Sequence, residues 1–212
     1  MTGTRTDFLS VSRSAADLLR DPAVAAAWGK PSALPEFSVA GLAGHLAFQI
    51  LAIPRIIAEP VPTEPVISLL EHYRRAAWVG AGLDDEVNIR IRNGGEAEAA
   101  EGPEALVARV DAVIEELAGG LAAAPDRPVR IAFWGPWSLS LDDMLITRMM
   151  ELAVHSDDLA VSVGVATPEL PDSAVDTVIA LLSRLAVRRH GPTSMLRALS
   201  RAERAPATIA AF

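Results

Sequence analysis

The sequence predicts an all-α fold, a bundle of amphipathic helices. Apolar residues recur every three or four positions in five or so segments, the period of a helix with one inward face. The connections between these segments are short and marked by proline or glycine. Half of the 212 residues are apolar, enough for one sizeable core, and the strong helix former alanine is abundant. The chain divides into a bundle over residues 1–190 and a helical tail over 191–212, expected to pack on or near it.

The first helix covers 6–20, where Phe8, Val11, Ala15, Leu18 and Leu19 share a face and Asp21-Pro22 ends the run. Residues 23–36, with Gly29, Pro31 and Pro35, read as a turn-rich connection. Ser38 stands where it can cap a second helix, VAGLAGHLAFQILAIPRII, by accepting a free amide of the first turn. Two glycines weaken that helix but permit close packing, and Pro54 kinks or ends it. EPVPTEP (59–65) is a linker whose last proline suits the start of a third helix over 66–80. Val66, Leu69, Leu70, Tyr73 and Ala77 form its inward face. Residues 81–102 are polar and glycine-rich, and VNIRIR within them reads equally as strand, helix or loop. Gly102-Pro103 opens a helix over 104–122, with Leu106, Val110, Val113, Leu117 and Leu121 inward. PVRIAFWGPWSL (128–139) is β-like. Ser140 and Asp143 then form a capping box for a long helix over 140–164. Asp172 caps a last long helix through about Arg189, with Val175, Val178, Ile179, Leu182 and Leu185 inward.

Composition narrows the function. A formal net charge of −8 argues against a broad nucleic-acid footprint. The absence of cysteine excludes disulfides, thiolate metal ligands and a cysteine nucleophile, so any thiol chemistry brings its thiol in as a substrate. The first residues lack the apolar core of a signal peptide, and no stretch of about 18 apolar residues free of charge predicts a membrane span. A soluble, cytoplasmic protein is the expectation.

The helix over 140–164 carries Glu151, His155 and Asp158 at spacings of four and three, which at about 100° per residue fall in one sector. Leu141, Leu145, Leu152 and Leu159 share much of that sector, so it faces inward. A carboxylate and an imidazole there cost free energy unless satisfied, and a divalent metal would satisfy them. Four histidines can supply a further ligand. His72 lies in a polar patch, EHYRR, that reads as solvated, and His190 sits at a helix end. His45, flanked by Leu42 and Leu46, points inward and is the best third ligand. Two histidines and one carboxylate leave coordination positions open, the catalytic arrangement for zinc, and also suit iron(II), nickel or manganese. Asp158 either orients an imidazole or joins the site, and Arg148 pairs with Glu151 or with a bound anion; both are candidates for a catalytic role. Pattern alone leaves a hydrogen-bonded core as the rival reading.

Two segments extend this. FSVAGLAGHLAFQ (37–49) resembles the aromatic-Ser/Thr-Val-x-x-Leu-x-x-His-Leu signature of the DinB-like superfamily and, more narrowly, of the N-terminal domain of mycothiol-dependent maleylpyruvate isomerases. RMMELAVHSDDLAVSVG (148–164) resembles that group's second signature, Arg-x-x-Glu-x-x-x-His-x-x-Asp-Leu. The resemblance implies a DinB-like four-helix bundle with a short C-terminal extension. It also implies a metal, usually zinc, on His45, Glu151 and His155, with mycothiol as the thiol cosubstrate. Phe37 departs from the usual tryptophan. The isomerase's further C-terminal α/β domain has no counterpart in residues 191–212, which argues against maleylpyruvate itself as substrate. Arg197, Arg201 and Arg204 in that tail form either a solvated basic face or a clamp for a substrate carboxylate.

The expected function is a metal-dependent, mycothiol-dependent S-transferase or isomerase acting on a small electrophile. A metal-dependent hydrolase and a non-catalytic metal-binding bundle are the alternatives. The expected partners are a small-molecule substrate and a low-molecular-weight thiol, with no nucleic acid and no membrane. Exposed apolar helix faces are compatible with a homodimer.

Overall fold

The computed structural model describes residues 3–212. Helix α1 (Gly3–Leu19) is followed at once by α2 (Pro22–Ala26), because the Asp21 carboxylate accepts the Ala23 amide at 2.8 Å and Pro22 suits a first turn. The connection expected over 23–36 therefore begins as a helix. Helix α3 (Val39–Leu51) starts where the Ser38 hydroxyl accepts the Gly41 amide at 2.9 Å. The chain breaks at Ala52 and resumes as α4 (Ile53–Ala58), with Pro54 in its first turn, where the missing amide is harmless.

Helix α5 (Leu69–Arg75) is shorter than the sequence suggests. Residues 65–67 are extended and joined to Ser138, whose amide donates to Pro65 and whose carbonyl accepts from Ile67. Ser68 caps the helix, so Pro65 stands before it and not in its first turn; Val66 is 53% exposed and Ala77 is exposed beyond its end. VNIRIR belongs to a helix, α6 (Glu86–Glu98), lying against α3. The contact is glycine on glycine: a Cβ on Gly44 would stand 2.0 Å from the Gly95 carbonyl oxygen, and one on Gly95 would stand 2.3 Å from that of Gly41.

Helix α7 (Pro103–Gly120) turns Ile114 rather than Val113 fully inward. Strands β1 (Pro128–Val129) and β2 (Leu139–Ser140) pair antiparallel, Pro128 opposite Ser140, and close a loop that contains a short 3₁₀ turn at Ala132–Trp134. The Ser140 hydroxyl accepts the Asp143 amide at 3.1 Å and opens α8 (Leu141–Val163), which Gly164 ends in the left-handed region at φ 76. In α9 (Asp172–His190), Asp172 is the first helical residue and Pro171 the cap; Leu181 takes the inward position expected for Ile179, which is exposed. Helix α10 (Pro192–Ser200) follows.

Helices α1, α3, α7 and α8 pack on one another as a four-helix bundle, with α6 laid on α3 and α9 on α8 and α1. Its core includes Phe8, Leu42, Leu46, Ile50, Leu106, Leu121, Leu145 and Met149, all buried. Among the described residues, Val39–Ala58 is long and apolar enough to cross a membrane, with mean hydropathy 1.4, despite Arg55. In the fold, 61% of that window is buried within the bundle and its helix is interrupted at Ala52.

Candidate metal centre

Two helices of the bundle bring the donors together. Helix α8 presents Glu151 and His155 one turn apart, and α3, packed alongside, presents His45. His45 Nε2 lies 3.4 Å and His155 Nε2 3.2 Å from the same oxygen, Glu151 Oε2. The two imidazole rings stand edge to face with centroids 4.8 Å apart. One donor atom from each of the three lies within 4.8 Å of the other two. Their side chains are mostly buried, keeping 13–17% exposure.

These separations are long for charge-assisted hydrogen bonds, which run about 2.7–2.9 Å. They are close to the roughly 3.3–3.6 Å between neighbouring ligand atoms of a tetrahedral ion with bonds of about 2.0–2.2 Å. The donor set therefore fits a divalent cation of the zinc type, with coordination positions left for another molecule.

The surroundings fix each donor. Asp158 Oδ2 lies 2.9 Å from His155 Nδ1, which leaves Nε2 facing Glu151. Gln49, one turn beyond His45, donates through Nε2 to the His45 carbonyl at 2.9 Å. Its Oε1 accepts from Arg148 Nη1 at 2.5 Å, and Arg148 Nε donates to Thr147 Oγ1 at 3.1 Å. The Phe37 ring stands edge-on to His45 at 5.9 Å. On the far side of Arg148, its guanidinium lies 5.1 Å over the Trp134 ring, and Trp134 lies 4.4 Å from the His72 ring. His72 Nδ1 accepts the Trp137 indole N–H at 3.1 Å.

Burial alone would raise the Glu151 carboxyl, but hydrogen bonds to His155 and His45, with the charges of His155 and Arg148, hold it well below its usual range. Burial pushes His45 down more than Glu151 pulls it up. For His155 burial acts the same way, yet Asp158 and Glu151 outweigh it and raise the imidazole to about 9. Burial, then the Arg148 charge, lower His72 to about 4. Burial also lowers Arg148.

Set against the sequence expectations, His45, Glu151 and His155 come together. Asp158 reaches His155 Nδ1 and stands outside the group of three donors. Arg148 bonds Gln49 and Thr147 rather than pairing with Glu151. Arg197, Arg201 and Arg204 are exposed; Arg201 bonds the Ser200 carbonyl and Arg204 pairs with Glu203. His72 is buried, with 2% exposure, rather than solvated. Its charged neighbours Glu71, Arg74 and Arg75 pair with one another, while His72 and Tyr73 turn to the other face. A signal for that exists in the sequence: Leu69, His72, Tyr73 and Ala76 follow helical spacing.

Residues 8–160 match the family described as mycothiol maleylpyruvate isomerase N-terminal domain. Among solved structures, the chain is similar to the crystal structure of the mycothiol-dependent maleylpyruvate isomerase, with 16% identity and a TM-score of 0.53 over 88% of this chain and 72% of that one. At that identity the likeness is one of fold. No curated protein matches the chain.

Proposed function

The chain belongs to the mycothiol maleylpyruvate isomerase N-terminal domain family, and from that premise we propose that it is a metal-dependent thiol transferase or isomerase acting on a small electrophile. The observation that carries this reading is the convergence of His45, Glu151 and His155 from two helices at separations suited to one cation. These three residues would hold the ion, zinc first, with iron(II), nickel or manganese compatible with the same donors. When bound, such an ion supplies a Lewis acid that lowers the pKa of a thiol and favours the thiolate at neutral pH. Mycothiol is the proposed thiol, brought in from outside because the chain has no cysteine. A reducing, cytoplasmic setting suits a free thiol.

The chain's own residues have separable tasks. Asp158 keeps the Nδ1 proton of His155 and so points Nε2 at the site. Gln49 links Arg148 to the backbone of His45 and fixes the two helices relative to one another. Phe37 packs edge-on against His45, and Trp134 lies against the Arg148 guanidinium. The hydrolytic alternative lacks a base, since Glu151 meets both imidazoles and Asp158 meets the third ring nitrogen.

The test is elemental analysis of the purified protein, followed by turnover of electrophiles with and without mycothiol. The expected result is one metal per chain and turnover only with thiol, both lost in His155→Ala. Undiminished thiol-dependent turnover by metal-free His155→Ala would overturn the reading.

A further inference from the structure

One end of the molecule carries a charge opposite to the rest. Residues 184–204 hold six arginines and one glutamate, a formal +5, while the chain as a whole carries −8 and its remainder −13. All six arginines are exposed. Arg204 pairs with Glu203, but Arg184, Arg188, Arg189, Arg197 and Arg201 have no carboxylate within ion-pair distance among the described residues. By contrast, Arg5 pairs with Asp142 and Arg90 with Glu86.

The same segment holds the two most exposed large apolar side chains among the described residues. Helix α10 seats Met195 in the fold at 5% exposure and turns Leu196 and Leu199 outward at 68% and 73%. Three residues apart on a helix, the two leucines are neighbours, and Arg197 and Arg201 flank them. Helix α10 packs on α9, which carries Arg184, Arg188 and Arg189 in its last two turns. Leucines and arginines therefore share one end of the fold.

A partner must match both the charge and the leucines. Two leucines are a small part of the roughly 800 Å² that each partner buries in a stable protein interface. Nucleic acid would match the arginines, but single strands are held by stacking on aromatic side chains, and residues 184–204 have none. An anionic bilayer matches both: the leucines enter the headgroup boundary while the guanidiniums stay among the lipid phosphates. The acidic remainder of the chain is repelled by the same surface, so this end is the one that faces it. We propose that helix α10 and the last two turns of α9 form a surface that docks the protein reversibly on anionic lipid bilayers. The contact is peripheral, stands apart from the metal–thiol reading, and departs from the sequence-based expectation of no membrane partner.

The test is co-sedimentation of the full-length protein with vesicles of phosphatidylcholine, alone or with about one-third phosphatidylglycerol, at about 0.1 M salt. The screening length there is about 10 Å, so the local arginines outweigh the distant acidic groups. Binding should be confined to the anionic vesicles and should vanish at about 1 M salt, where screening acts within about 3 Å. Leu196→Ser with Leu199→Ser, and separately Arg197→Glu with Arg201→Glu, should each lower the partition coefficient about tenfold or more. These side chains are exposed, so the helical circular dichroism of both double variants should match that of the parent protein. Val61→Ser, which removes an apolar side chain 55% exposed in the linker, should bind as the parent does. The surface is overturned if the parent protein binds neither vesicle or binds both equally, or if either double variant binds as the parent does. Self-association that the leucine variant loses, without vesicle binding, would also overturn it and assign the leucines to a second copy of the chain.

Discussion

Replacing His72 by asparagine isolates a single buried titration in the wall of the site. The folded protein lowers the His72 imidazole from 6.5 to about 4, first through burial and then through the Arg148 charge. The charged groups acting on it are Arg148 and Glu151, the latter in the opposite sense. Because the folded value is depressed, the unfolded chain takes up the proton first as pH falls. The stability contributed by neutral His72 is therefore complete above pH 6.5 and is lost as pH falls from 6.5 through about 4. Each pH unit between those two values is worth about 1.4 kcal/mol, so the loss comes to about 3 kcal/mol. Protonation of Nδ1 also removes the acceptor of the Trp137 indole N–H. Asparagine supplies a carbonyl oxygen near that position and does not titrate. Urea denaturation of both proteins between pH 7 and 4, read by tryptophan fluorescence, gives the difference directly, because the other acids titrate alike in each. The parent protein should lose about 3 kcal/mol more than His72→Asn across this range. Parallel stability curves would refute the burial argument.

Three further outcomes follow from the packing and the donors. His45→Ala should retain its helical circular dichroism but bind no zinc by elemental analysis, since one of three donors is gone. Asp158→Ala should weaken zinc binding about 10- to 100-fold in a chelator competition, through loss of the acceptor that orients His155; unchanged affinity would show that the ring is held by packing alone. Gly44→Ala should destabilise the fold by about 1–3 kcal/mol in urea, because its Cβ would meet the Gly95 carbonyl oxygen at 2.0 Å. Gly119→Ala in α7, where nothing lies within 4 Å, should instead be neutral or stabilising by up to about 1 kcal/mol.

Local signals carry the parts of the fold that depend on local chemistry. Ser38 and Ser140 cap the helices expected of them, and Gly164 ends α8 where the apolar period stops. Glu151 and His155 can be placed on one face because both lie on one helix, and His45 is singled out by its apolar neighbours Leu42 and Leu46. The misreadings occur where a distant segment decides. Pro65–Ile67 is extended because Ser138 pairs with it, which no helical period reveals. Helix α6 lacks a wide apolar stripe because it is seated through Gly95 against Gly41 and Gly44, so VNIRIR shows no face to read. His72 reads as solvated because its sequence neighbours are charged, whereas Trp134 and Trp137, more than sixty residues away, bury it.

Charge decides what the proposed centre accepts. Glu151 and Asp158 bring two negative charges around His155, and Arg148 brings one positive charge within the same buried region. A divalent cation on His45, Glu151 and His155 would leave the cluster with one positive charge in excess, an unfavourable state in a partly desolvated site. One thiolate cancels that excess, which a neutral thiol or an amine does not. The charge count thus favours a single thiolate on the proposed centre over a neutral thiol or an amine.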